Sequence, residues 1–242
     1  MLTFLSKTWL YLVLIAVIIV LTIGLISIER NNQKLRAQLQ EKTEKVTRLT
    51  KLKSVVEPYL HNNKEYNAEA SKNVYKKWMA SKELAEQFYK ESDGRFKKQW
   101  GLFLAIQARK HKINPEIVFE LLKVETGGTF DPELVGPKTE YGRAYGMAQF
   151  MTNTAPWIAK MAGLPYKKEK LFDPYYSIEL SITYLDFLYE RYENWNKALT
   201  AYNRGMGGLA SYIEKHGDSK STYAVTIRER TKIKNVDFAF GG

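Results

Sequence analysis

Residues Asn114 to Thr126 read NPEIVFELLKVET and are followed by Gly127-Gly128. Asn114 is a good N-cap, because its side-chain oxygen can accept a free N–H of the first helical turn. Pro115 suits the first helical position, where no N–H is needed. The two glycines stop the helix. Within it, Val118, Leu121, Leu122 and Glu125 fall at i, i+3, i+4 and i+7, which is one helical face. The first three are apolar, so this face turns to a core and carries Glu125 with it. Glu125 also falls at the helix C-terminus, where the dipole is negative and disfavours a carboxylate. Burial and dipole both raise its pKa. A carboxyl group held protonated near neutral pH is what a glycosidase needs as its general acid.

The sequence on either side is predominantly helical. From Trp100 onward the apolar pattern is dense, helix-like and poor in strand signals, which predicts an all-α domain. Any strand belongs to a small ribbon near Val135 to Gln149. Downstream come Thr129-Phe130-Asp131-Pro132 and then Gly146-Met147-Ala148-Gln149-Phe150. Leu171-Phe172-Asp173-Pro174 precedes a helix expected over Ser177 to Tyr192, with Tyr184-Leu185 inside it. Ala201-Tyr202-Asn203-Arg204-Gly205 follows, and Ser221-Thr222-Tyr223 comes last.

This succession resembles the transglycosylase SLT domain of family 23 glycoside hydrolases, over about Trp100 to Tyr223. The family pattern is a Glu-Ser at a helix end, a Gly-Leu-Met-Gln, a helix with Tyr-Leu, an Ala-Tyr-Asn-Ala-Gly and a late Tyr. The resemblance implies a lysozyme-like, all-α fold in which Glu125 is the catalytic acid. It implies that Met147 and Gln149 line the sugar groove, that Gly146 lets backbone approach closely, and that Thr126 stands where the family keeps a Ser. Tyr202 and Asn203 match the pair that positions the acid and contacts sugar, and Tyr223 matches the late Tyr that orients it. The chain also departs from the pattern. Met-Ala-Gln replaces Leu-Met-Gln, Arg204 replaces a small residue, and the loop Val135 to Tyr145 (VGPKTEYGRAY) is longer than the usual connection. Lys220 lies near the late Tyr, where an acidic residue is common.

The resemblance implies a reaction as well. The acid protonates the oxygen between N-acetylmuramic acid and N-acetylglucosamine. It then acts as base on the muramyl 6-hydroxyl, which closes a 1,6-anhydro ring. One carboxyl group serves both steps. The competing enzyme is a goose-type lysozyme, a hydrolytic muramidase of the same fold that delivers water. Ordinary glycosidases use two carboxylates, and Asp131 or Glu140 would supply the second. The reading outside enzymes is a non-catalytic wall-binding module, which the retained Glu125, Gln149, Tyr202 and Asn203 oppose.

Towards the N-terminus, Trp9 to Ile28 read WLYLVLIAVIIVLTIGLISI without a charge. About 20 apolar residues span a bilayer as a helix. The run exceeds the roughly 7–15 apolar residues of a signal peptide and lacks a small-residue cleavage site, so residues 1–28 are expected to be an uncleaved anchor. Only Lys7 and the α-amino group precede it, whereas Arg30, Lys34 and Arg36 follow closely. The positive-inside tendency would place the C-terminal part in the cytoplasm. A wall-cutting domain requires the opposite, and the expectation follows function: a single-pass membrane protein working on the cell-wall side. Residues 29–95 are expected to form a helical stalk. Leu39, Val46, Leu49 and Val56 make a short heptad seam, interrupted by Lys42 and Lys53, which suits a homodimeric coiled coil. Pro58 ends or kinks the helix. Ser92-Asp93-Gly94 is a turn signal, which puts the catalytic domain at residues 96–242.

Composition narrows the chemistry. Hydrophobic residues make up 45% of the 242 and aromatics 13%, enough for a packed core. There is no cysteine, which removes disulfides, thiolate metal sites, thiol nucleophiles and a lipoprotein anchor. His61, His111 and His216 fit no ligand spacing, so neither a metal nor any other cofactor is expected. The net charge of +11 suits an anionic membrane or wall polymer. No basic helix or aromatic platform points to nucleic acid. The expected partners are peptidoglycan glycan strands, the lipid bilayer through residues 9–28, and a secretion, conjugation or phage machine that needs a local gap in the wall.

Overall fold

A computed structural model describes residues 18–36, scattered positions between 38 and 53, and the continuous stretch 68–231. The chain divides into two compact units, Met1–Pro58 and Tyr59–Gly242. In the first unit, residues 18–36 form a helix, α1. Its apolar side chains from Ile18 to Ile28 are exposed. The Thr22 hydroxyl donates to the Ile19 carbonyl at 2.9 Å, so this polar group is satisfied within the helix. Residues 9–17 of the expected anchor lie outside the described residues. Among the described residues, no helix is long and apolar enough to cross a membrane. Of the heptad seam, Leu39 and Val46 are helical and exposed. Leu49, Val56 and Pro58 lie outside the described residues.

The second unit is almost entirely helical. Its elements are α2 (Ala68–Glu91), α3 (Lys98–Lys110), α4 (Pro115–Glu125), β1 (Ala144–Tyr145), β2 (Phe150–Met151), α5 (Ala155–Met161), a 3₁₀ turn (Lys168–Phe172), α6 (Pro174–Tyr192), α7 (Trp195–His216) and α8 (Thr222–Arg230). The two strands pair antiparallel, Ala144 opposite Met151 and Tyr145 opposite Phe150. Bridges at Val135–Tyr145 and Thr139–Gly142 extend this ribbon through the long loop.

Helix α4 is the buried axis of the unit. The Asn114 side chain accepts the Glu116 N–H at 2.9 Å and caps the helix. Ile117, Val118, Leu121 and Leu122 have no exposed surface. Gly127 and Gly128 both take positive φ and turn the chain away. Phe119 stacks on Phe88 of α2 at 4.3 Å and meets Phe96 edge-on at 5.3 Å, while Phe130 packs on Phe96 at 5.1 Å. Burying each such ring contributes roughly 1.5–3 kcal/mol.

This cluster corrects the boundary expected at residue 96. Ser92-Asp93-Gly94 is a turn, with positive φ at Asp93 and Gly94, but it joins two parts of one core. α2 packs along α3 so closely that a Cβ on Gly101 would lie 2.9 Å from Ala85 Cα. Arg109 of α3 donates to the Lys77 carbonyl at 2.6 Å and to the Ser81 hydroxyl at 3.0 Å. The helix assigned to the stalk therefore belongs to the second unit.

α3, α6 and α8 pack against α4, and α7 packs on α6 and α8. α6 begins at Pro174, three residues before the expected Ser177, because Asp173 is its cap and accepts the Tyr175 N–H at 2.8 Å. α7 is broken at Gly205, whose φ of 74° and ψ of 164° are not helical. Ser221 caps α8 and its hydroxyl lies 2.7 Å from that of Thr200 on α7, which fixes where α8 starts.

Candidate active site

Glu125 closes α4 and is half-buried. Tyr223 stands in the first turn of α8, and its hydroxyl donates to Glu125 Oε1 at 2.6 Å. Burial raises the Glu125 pKa to about 7, and the Tyr223 hydrogen bond opposes part of that rise. Taking a carboxylate out of water disfavours its charged form, whereas a donor facing it favours that form. Here burial dominates. The Tyr223 hydroxyl titrates well above its ordinary range, through burial and the neighbouring carboxyl group, so it stays a donor at working pH.

An open groove of about 840 Å³ runs over the acid. Glu125, Gln149, Tyr184, Tyr202, Asn203 and Arg204 line it, and the ribbon contributes Glu140 and Tyr141. The Tyr202 hydroxyl lies 3.2 Å from the Ser181 hydroxyl and donates to the Ala148 carbonyl at 3.3 Å. Its ring packs against Tyr184 at 5.3 Å and Phe150 at 5.6 Å. Burial and the nearby Glu125 push the Tyr202 pKa far up. Tyr202 thus ties helix, ribbon and groove floor together beside the acid.

Gln149 lies in the ribbon, immediately before β2. It takes a positive φ of 49°, uncommon for a residue with a Cβ. Its amide nitrogen donates to the Gly146 carbonyl at 2.8 Å and to the Leu134 carbonyl at 3.3 Å. The side chain holds the loop closed as well as facing the groove.

Three residues expected to meet sugar sit elsewhere. Met147 is fully buried and is absent from the groove lining. It is the core-facing residue beneath the ribbon. Gly146 does permit a close backbone approach, but the neighbour is protein: a Cβ there would lie 1.8 Å from the Leu171 carbonyl oxygen. Thr126 is buried; its hydroxyl donates to the Leu122 carbonyl at 2.7 Å and accepts the Phe130 N–H at 3.0 Å. It shapes the turn after α4 instead of touching the groove. Of the two candidate second carboxylates, Glu140 lines the groove. Asp131 is exposed, absent from the lining, and its carboxylate accepts the Glu133 N–H at 2.9 Å.

Ser181 and Tyr184 are contributors the sequence reading did not assign. Ser181 had a signal: with Ile178, Ile182 and Leu185 it shares one helical face, where a hydroxyl needs a buried partner.

A protein-family model described as the transglycosylase SLT domain matches residues 103–225. No curated protein matches the chain. Among solved structures, an inactive mutant of the lytic transglycosylase Slt from Pseudomonas aeruginosa is similar at 16% identity and a TM-score of 0.40. That match covers 77% of this chain and 34% of the other. The 70 kDa soluble lytic transglycosylase SLT70 from Escherichia coli is similar at 19% identity and a TM-score of 0.38, over 63% of this chain and 27% of the other. The chain thus spans about a third of the length of these proteins or less.

Proposed function

The chain belongs to the transglycosylase SLT domain family, and from that premise we propose that its groove cleaves peptidoglycan glycan strands by transglycosylation. The observation that carries this reading is the Glu125 carboxyl group beneath an open groove, its pKa raised to about 7 by burial and its position fixed by Tyr223. Glu125 gives its proton to the oxygen bridging N-acetylmuramic acid and N-acetylglucosamine, and the C1–O bond breaks. The carboxylate then takes the proton of the muramyl 6-hydroxyl as that oxygen bonds to C1. The 1,6-anhydro ring closes, Glu125 is again protonated, and no water is consumed. The sugar's own 2-acetamido group stabilises the cationic centre. Tyr202 and Asn203 hold the strand against the acid.

Hydrolysis is the second reading, favoured by one observation: Glu140 lines the same groove and would serve as base for a water. Digestion of purified peptidoglycan, with products read by mass spectrometry, separates the two. Transglycosylation leaves anhydro-muramyl ends, and hydrolysis leaves reducing ends. A folded protein that yields neither from any wall type would contradict both.

The proposal extends to place. The uncharged run Trp9–Ile28, with its exposed apolar helix from Ile18, supports a bilayer anchor that holds the enzyme on the cell-wall side. There it would serve wall turnover or open gaps for a secretion, conjugation or phage machine. Pairing of two chains through the seam at Leu39 and Val46 belongs to the same proposal. Membrane fractionation and protease accessibility of intact cells test the anchor and its orientation.

A further inference from the structure

Arg204 is the one cation among the groove-lining residues. It replaces a small residue of the family pattern, so the family's own reaction does not account for it. Its position is built. It is exposed immediately before the Gly205 break in α7, which leaves it at the rim of the opening. The guanidinium stacks over the Tyr212 ring, 5.0 Å from the centroid. Gly208 makes room for it: a Cβ at 208 would lie 2.8 Å from Arg204 Cβ. Among the described residues, no carboxylate pairs with this guanidinium. An arginine held over an aromatic ring in the lining of an open groove is suited to a planar two-oxygen anion, which it binds through paired hydrogen bonds.

We propose that Arg204 is a specificity residue that receives a carboxylate of the bound strand. The inference rests on the glycan-strand reading above and deepens it. A neutral sugar polymer offers no such group. A muramyl strand offers it from two sources: the lactyl carboxylate of a peptide-free residue, or a free carboxylate of the stem peptide. Asn203 and Glu125 meet the uncharged sugar; Arg204 reads the acidic substituent.

The test uses the full chain in detergent with Glu125→Gln, so that bound strands are not cut. Binding is measured by calorimetry for three ligands: peptide-free glycan fragments, fragments with intact stem peptides, and uncharged N-acetylglucosamine oligomers of equal length. Adding Arg204→Gln is expected to weaken one or both carboxylate-bearing ligands about tenfold and to leave the neutral oligomer unchanged. The fragment class that loses affinity identifies the carboxylate. Arg204→Lys is expected to recover only part of the loss, because an ammonium cannot make the paired contact. Equal loss on all three ligands, or no loss on any, overturns the proposal. Failure of the transglycosylase reading shows separately, as missing anhydro products from the wild-type chain.

Discussion

The groove has two unlike walls. One is helical: Glu125 at the end of α4 and Tyr202 on α7, with Tyr223 of α8 bonded to the acid behind it. The other is the ribbon and its approach, residues 135–151, with Gly142, Gly146 and Gln149 all at positive φ. On the helical wall, side chains do the work and the backbone is satisfied within each helix. On the ribbon wall, much of the side-chain bonding closes the loop itself, as when Gln149 bonds the Gly146 and Leu134 carbonyls. The difference teaches that chemistry and shape are held by separate parts of one site, so they should fail separately under mutation.

Glu125→Gln strikes the helical wall. Loss of a general acid costs about 10²–10⁴-fold, and in the proposed reaction this residue serves both steps, so turnover of peptidoglycan is expected to fall by at least about 10³-fold with the fold intact. Gly146→Ala strikes the ribbon wall. The new Cβ meets a backbone carbonyl, and alanine is strained at a φ of 73°. The expected loss is about 3–4 kcal/mol of stability by chemical denaturation, with catalysis impaired only through unfolding. If Gly146→Ala folded normally yet lost activity, the division between walls would be wrong.

A pH series sharpens the helical side. Glu125 keeps its proton in the fold up to about pH 7, above its ordinary 4.5. Below pH 4.5 the folded and unfolded chains both hold the proton, so there is no penalty. As pH rises through 4.5 to 7, the unfolded chain releases it first, and the native state loses stability; above 7 the loss is complete. Its size is about 3 kcal/mol. Glu125→Gln cannot ionise, so its stability advantage over wild type is expected to grow across that window. A constant difference between the two proteins from pH 4 to 8 would show that the carboxyl group is not perturbed.

Tyr223→Phe is expected to act more mildly. It removes the bond that orients the acid and lowers its pKa. Turnover should fall about 10- to 100-fold, and the alkaline limb of the pH–rate profile should move upward. A downward shift would mean that Tyr223 does not donate to the carboxylate.

The same contrast explains what was legible in the sequence. α4 was legible because its signals are local: Asn114 caps it, Gly127 and Gly128 stop it, and a period of 3.6 aims Glu125 inward. The partners of Tyr202 were not, since Ser181 and Ala148 lie 21 and 54 residues away and nothing local in the sequence pairs them. Gln149 carries no residue-type mark of its left-handed backbone. Met147, Gly146 and Thr126 do not line the groove, because packing of the ribbon onto Leu171 and the turn after α4 uses those residues first. The turn at Ser92-Asp93-Gly94 was read correctly as a turn and wrongly as a border. A turn breaks a helix, but only packing decides a domain, and Phe88 and Phe96 pack across it.

The most direct measurement is a titration of the Glu125 carboxyl carbon by NMR, assigned by its absence in Glu125→Gln. The account predicts a midpoint near 7 in the wild type and a higher one in Tyr223→Phe. A midpoint near 4.5, unmoved by Tyr223→Phe, would contradict it, because a carboxylate already ionised at neutral pH has no proton to give the glycosidic oxygen.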